Sequence, residues 1–194
     1  ARSFEDRLIE TEAITHSHGP DGAHSHAGTA AFTFLDPALA ALQADAVADA
    51  LAARGIVPEA DLASRRAALA DDLAALTEAA ERLEAMAGGE VAIGSHPRYQ
   101  YLARATGLTI HAVEWEAGLA PDAAQLSDLA GLADETGAAV FLWEAEPSAD
   151  GRAAVRALGL ADAVFPSFAA TADPGYFASF ERALDALGAA LSSR

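Results

Sequence analysis

Residues 91–115 read VAIGSHPRYQYLARATGLTIHAVEW. Two short runs of apolar and β-branched residues, VAIGS and TIHAVEW, enclose an amphipathic stretch, PRYQYLARATG, that stops at a glycine. Short apolar runs bounded by turn residues read as strands, and apolar residues at helical spacing between them read as a helix. The alternation then continues. TIHAVEW is followed by PDAAQLSDLAGLADETG, AAVFLWE by SADGRAAVRALG, and ADAVFPSF by DPGYFASFERALDALGAALSSR. Successive βα units imply a parallel sheet, because parallel neighbours need a crossover connection that brings helices onto the sheet faces. The fold class expected for residues 90–194 is therefore α/β, with a four-stranded parallel sheet and helices on both faces.

Upstream the texture is helical. Asp36-Pro37 is a helix start, with Asp as N-cap and Pro at the first helical position, and ALAALQADAVADALAARG carries the helix to Gly55. After Pro58 a second helix is expected from about Asp61 to Met86, stopping at Gly88-Gly89. Leu62, Leu69, Leu76 and Leu83 recur every seven residues along it, with Leu73 adjoining. Such a stripe suits a long helix lying on its own domain or a coiled coil, and the absence of partner-specific charges favours the first. Residues 36–89 thus form a helical connector. Residues 1–35 hold no long periodic element, only a short helical piece around Phe4, Leu8 and Ile9 and then a polar loop, which reads as a leader that begins in mid-element.

That loop, HSHGPDGAHSH at residues 16–26, carries four of the six histidines, His16, His18, His24 and His26. Gly19-Pro20-Asp21-Gly22 is a turn that folds the two His-x-His pairs toward each other. Neutral imidazole is the commonest protein ligand for zinc, so the tract reads as a metal-capturing loop, with a solvated loop of idle histidines as the bland alternative. The net charge of −17 and 12 basic residues against 29 acidic ones leave no basic footprint for nucleic acid and favour cations as partners. Zero cysteines exclude disulfides and thiolate ligands, so a metal must rest on nitrogen and oxygen. No apolar run approaches the roughly 20 residues of a membrane span.

In open α/β sheets ligands collect beyond the carboxyl ends of the strands. After the first strand stands Ser95-His96-Pro97, where Pro97 suits the first helical position and leaves His96 near the N-cap, exposed at that edge. After the third stands Glu144-Ala145-Glu146-Pro147-Ser148, with Ser148 as N-cap, and after the fourth Pro166-Ser167-Phe168, followed by Asp173-Pro174 as a further helix start. His96, Glu144 and Glu146 are expected to share one crevice, although His96 could equally be a capping imidazole and Glu144 an acceptor for backbone N–H groups. His111 falls inside a strand and is read as a satisfied ring outside any site. Trp115, Trp143, Tyr99, Tyr101 and Phe141 read as core or crevice wall. No GxSxG, P-loop, GxGxxG or HExxH motif is present, so the chain is not read as an enzyme.

The order of His-rich loop, FTFLDPALA, long helix, GSHPRYQYLARATGL and VFLWEAEPS resembles the periplasmic zinc/manganese-binding proteins of metal ABC transporters, from about Phe32 to the C-terminus. The resemblance implies a connecting helix followed by a Rossmann-like C-terminal lobe, a preceding N-terminal lobe that this chain lacks, and metal bound between the lobes. It implies His96 as a direct ligand and Glu144 as an acidic residue close to the site. Two further ligand positions of the family fall on Phe32 and near Pro166 or Ser167, which offer no ligand atom of the required type, and His24 or His26 could take the place of Phe32. The metal-site candidates are thus His96, Glu144, His16, His18, His24 and His26. Zinc suits imidazoles with one or two carboxylates, ahead of manganese, while copper or nickel would also accept imidazole. The implied function is zinc capture in the bacterial periplasm and delivery to an ABC transporter permease. The alternative is a metal chaperone or buffer that binds zinc through the His-rich loop alone, without transport.

Overall fold

The computed structural model describes residues 2–17, 23–116, 118–169 and 175–193, with the backbone alone for residues 2, 3, 12–17 and 23–27. The first departure from expectation is at the N-terminal end. Residues 2–7 form the expected short helical piece, a 3-10 turn, but the chain then enters two antiparallel strands, β1 (Glu10–Ser17) and β2 (Ala23–Thr29), where a loop was expected. Thr11, Ile14, Thr15 and Thr29 are β-branched and favour extended, paired backbone. His16 lies opposite His24 in the ladder, and His26 opposite Ile14. His18 and the Gly19–Gly22 turn lie outside the described residues, as do the side chains of His16, His24 and His26 and the Asp173-Pro174 helix start.

The base of this hairpin is tied to the rest of the chain. Ala30 N donates to Ile9 O at 2.8 Å, Ile9 N donates to the Tyr101 hydroxyl at 3.1 Å, and Phe4 is buried in the main core. Helix α1 (Pro37–Ala53) then starts as expected, with the Asp36 carboxylate accepting from the backbone N–H of Ala38 and Leu39. Asp36 is itself buried and also accepts from Arg104 Nε at 3.0 Å and from Arg104 Nη2 at 2.7 Å. A third guanidinium nitrogen of Arg104 donates to Arg7 O at 2.6 Å. One carboxylate therefore joins the N-terminal segment, α1 and the helix that carries Arg104.

Helix α2 (Glu59–Ala87) has 29 residues and spans about 43 Å. Its buried positions are Leu73, Leu76, Ala80, Leu83 and Ala87. The stripe read from Leu62 to Leu83 is thus buried only in its C-terminal half, where the sheet's helices meet it. Toward the N-terminus α2 packs on α1, and Leu69 is 36% exposed along an apolar groove of about 380 Å³ also lined by Val47, Leu51 and Leu62. Exposed ion pairs from Arg66 to Asp45 and Asp49 bridge the two helices.

The four βα units form as read. Strands β3 (Val91–Gly94), β4 (Thr109–Ala112), β5 (Val140–Trp143) and β6 (Ala161–Val164) make one parallel sheet in the order β4-β3-β5-β6. They alternate with α3 (Gln100–Thr106), α4 (Ala123–Thr136), α5 (Ala149–Ala157) and α6 (Tyr176–Ser192). Ala92, Val140, Leu142 and Ala163 face a core shared with α2, α3 and α6, while Ile93, Phe141 and Trp143 pack with Trp115, Leu129 of α4 and Val155 of α5. Both faces are covered, as expected. Among the described residues no helix is long and apolar enough to cross a membrane.

Because Asp36 serves as helix cap and ion-pair partner at once, Asp36→Ala should lower the unfolding free energy by about 2 kcal/mol, combining a lost cap with a stranded guanidinium. Urea titration followed by circular dichroism measures this. Asp45→Ala, on the exposed Arg66 pair, should leave the midpoint unchanged.

Candidate metal site

The strand order fixes where a crevice can open. The chain moves from β3 outward to β4, returns past β3 to β5, and continues to β6, so the direction reverses between β3 and β5. At such a switch point the loops leaving the two strands diverge and leave a cleft at the carboxyl edge. The residues there are Ser95 and His96 after β3, and Glu144 after β5.

Ser95 is buried and binds on three sides. Its backbone N donates to Leu142 O at 2.8 Å, its carbonyl accepts from Trp115 N at 2.8 Å, and its hydroxyl accepts from Glu144 N at 3.0 Å. The loop after β3 is thereby locked to β5 and to the segment after β4, with His96 and Glu144 on either side of the serine. His96 is half-buried, and its ring has no hydrogen-bond or ion-pair partner among the described residues.

The helix start expected at Pro97 does not form there. Arg98 N donates to His96 O at 2.8 Å, which makes residues 95–97 a tight bend, and α3 begins only at Gln100 with Tyr99 at its N-cap. His96 is thus a bend residue and not a capping one. The reason is tertiary. The Tyr99 ring is buried over Gly94, where a Cβ would stand 2.6 Å from the ring, and its hydroxyl donates to Phe165 O at 2.7 Å beyond β6. Turning the ring inward takes up the residues that a helix from Pro97 would need.

Glu144 is only 13% exposed at its side chain and sits 3.3 Å from Arg98 Nε. The Arg98 guanidinium also lies over the Phe32 ring, 5.0 Å from its centroid, within cation–π range. Phe32 in turn packs edge-on against Phe34. Arg98 is the residue that sequence reasoning passed over. It stands in a quoted motif, but no periodicity links it to partners 46 and 66 positions away.

Glu146 does not join this group. Its carboxylate is 73% exposed and pairs with Arg152 of α5 at 2.7 Å, the usual fate of an acid beside a helix start. Arg152 also reaches the buried Asp162 of β6. Ser148 caps α5 as expected, accepting from Gly151 N. Pro166 and Ser167 are half-buried after β6, and Phe168 beside them has a positive φ of 53°, held by packing on Phe165, Phe180 and Tyr176. His111 lies in a strand as read, but β4 is an edge strand and the residue is exposed, so its ring is not a core ring. Trp115, Trp143, Tyr99, Tyr101 and Phe141 are all buried, as expected. Among the described residues no three His, Asp or Glu side chains gather closely enough to hold a metal ion.

Burial, with the nearby Glu144 charge adding to it, holds the Tyr99 phenol well above the ordinary tyrosine range. Burial does the same to Tyr176, with Asp36 adding to it. Both phenols keep their protons in the folded chain after the unfolded chain has lost them, so their contribution is intact below about pH 10 and is lost as pH rises further. Stability should therefore fall above about pH 10, by up to about 1.4 kcal/mol per pH unit for each tyrosine. Tyr99→Phe should flatten that alkaline limb, measured by urea unfolding between about pH 9 and pH 11.

The family model described as ZnuA, zinc-uptake complex component A periplasmic, matches residues 3–190. The match takes in the hairpin as well as the connecting helix and the sheet, and so extends further than the resemblance read from Phe32 onward. Among solved structures the chain is similar to the Zn(II)-bound ZnuA-like domain of Streptococcus pneumoniae AdcA, with TM-score 0.75 and 19% identity over 85% of this chain and 65% of that one. It is also similar to the metal-dependent lipoprotein YcdH from Bacillus subtilis, with TM-score 0.74 and 20% identity over 89% of this chain and 67% of that one. A third is Zn(II)-bound AdcA from Streptococcus pneumoniae, with TM-score 0.75 and 19% identity over 95% of this chain and 40% of that one. At such identities the likeness is one of fold, and the chain spans less than two thirds of the AdcA domain. A comparison with curated proteins finds no match. With the family model covering the hairpin, both long helices and the whole sheet, the chain belongs to the ZnuA family of periplasmic zinc-uptake complex components.

Proposed function

We propose that the chain is the C-terminal portion of a periplasmic solute-binding protein that captures zinc and hands it to the permease of an ABC transporter. The observation that carries this reading is the family match over residues 3–190, joined to an imidazole, His96, at the switch point of the sheet that has no partner among the described residues. The ligand candidates are His96 and the four histidines His16, His18, His24 and His26. Glu144 belongs to the same crevice as a supporting charge. A counterpart lobe, closing on the carboxyl edge, is part of the proposal.

The chemistry favours zinc. Imidazole nitrogen without sulfur, on a chain with no cysteine, is a borderline donor set that zinc accepts readily in tetrahedral geometry. The role is binding and presentation of an ion, and the net charge of −17 draws cations toward the surface. A second reading, a zinc buffer or chaperone working through the hairpin alone, is favoured by the lack of any three-ligand group among the described residues.

Calorimetry with zinc chloride tests the proposal and separates the two readings. The unaltered chain should bind zinc at micromolar concentration or tighter, and both removal of residues 16–26 and His96→Ala should weaken it at least tenfold. Loss on removing the tract with no effect of His96→Ala would leave the buffer reading. No binding at micromolar zinc would overturn both.

A further inference from the structure

We propose that Arg98 is the resident cation of the crevice: its guanidinium neutralises Glu144, withholds that carboxylate from a divalent ion, and leaves zinc to imidazole ligands. This rests on the zinc-capture reading and specifies its donor set.

Three observations converge on it. Arg98 Nε stands 3.3 Å from Glu144 Oε1, with the two side chains 32% and 13% exposed, so the pair is largely shielded from water. Among the described residues that buried nitrogen makes no hydrogen bond, and the Glu144 charge and the Phe32 face compensate it. Phe32 offers π density without a lone pair. It can hold a cation in place but cannot coordinate one.

The local charge balance is then neutral. Glu144 contributes one negative charge and Arg98 one positive charge, so the pair presents no net charge to an entering ion. Coordination of zinc by Glu144 would draw its charge away from the guanidinium beside Oε1, and Arg98, half-buried, would be left with a weakened counter-charge, which disfavours that coordination. Among the described residues His96 has no such tie. Arg98 is therefore a specificity-determining residue that acts through Glu144 and does not touch the metal.

The test uses the full chain with His16, His18, His24 and His26 all replaced by Ala, so that only the crevice responds, and titrates zinc chloride by calorimetry. Arg98→Met should tighten zinc binding at least tenfold, and Arg98→Gln should do the same if the Met variant folds poorly. Glu144→Gln should weaken zinc binding at least tenfold more in the Arg98→Met background than with Arg98 present. Arg98→Lys, which keeps the charge, should bring no gain. The role of Arg98 is overturned if neither neutral variant gains affinity, or if Glu144→Gln has the same effect with and without Arg98. The two proposals fail separately. A gain in Arg98→Met when the unaltered chain binds no zinc removes zinc capture and keeps Arg98. Zinc binding by the unaltered chain with no effect at Arg98 and no coupling to Glu144 keeps capture and removes Arg98.

Discussion

The Asp36 carboxylate accepts two backbone N–H groups at the start of α1 and a guanidinium from α3, and that guanidinium also holds the carbonyl of Arg7. Three parts of the chain that are distant in sequence are thereby set against one another. Arg104 lies one turn and a half beyond Tyr99, so fixing α3 fixes the bend from Ser95 to Tyr99 and with it His96 and Arg98. Tyr101 completes the arrangement, taking the Ile9 N–H on its hydroxyl and the Arg104 guanidinium over its ring. The hairpin with its histidines and the crevice at the sheet edge thus hang from the same short helix.

The crevice is built by Ser95 and balanced by Arg98. Ser95 extends the β3 hydrogen bonding past the end of the strand on both sides, which brings Glu144 to the mouth of the cleft without making it a free carboxylate. Phe32 enters from the segment before α1 and lies under the guanidinium. A phenyl ring here is of use to the fold because its face packs against the guanidinium. That gives a physical role to a residue with no ligand atom.

Much of the sheet was legible because its signals are local. Apolar runs of β-branched residues, helical periods between them, and glycines such as Gly107 and Gly137, which close α3 and α4 in the left-handed conformation, repeat in a fixed rhythm. Asp36-Pro37 and Ser148 were legible as caps for the same reason. The hairpin is less legible, because Thr11, Ile14 and Thr15 do not alternate with polar residues in a strict period of two and the histidines that flank the Gly-Pro-Asp-Gly stretch have weak strand preference. At Pro97 the local preference for a helix start loses to the burial of Tyr99. The Leu62 to Leu83 stripe is longer than its buried part, since periodicity shows which face can be buried but not where a partner ends. Of the site, His96 and the histidine pairs could be read as chemistry. Arg98, Arg104 and the escape of Glu146 to Arg152 could not, because ion pairs between elements leave no spacing rule in the sequence.

What unites these features is that carboxylates are tied to arginines inside the fold, while the ring of His96 has no partner among the described residues. Asp36, Glu144 and Asp162 are each matched to a guanidinium. X-ray absorption at the zinc K-edge on the unaltered chain loaded with one equivalent of zinc addresses this directly. The account requires a first shell of nitrogen and oxygen near about 2.0 Å with multiple scattering from several imidazole rings and no carboxylate contribution. A shell with one imidazole or none, or with carboxylate carbon scattering that disappears in Glu144→Gln, would contradict it.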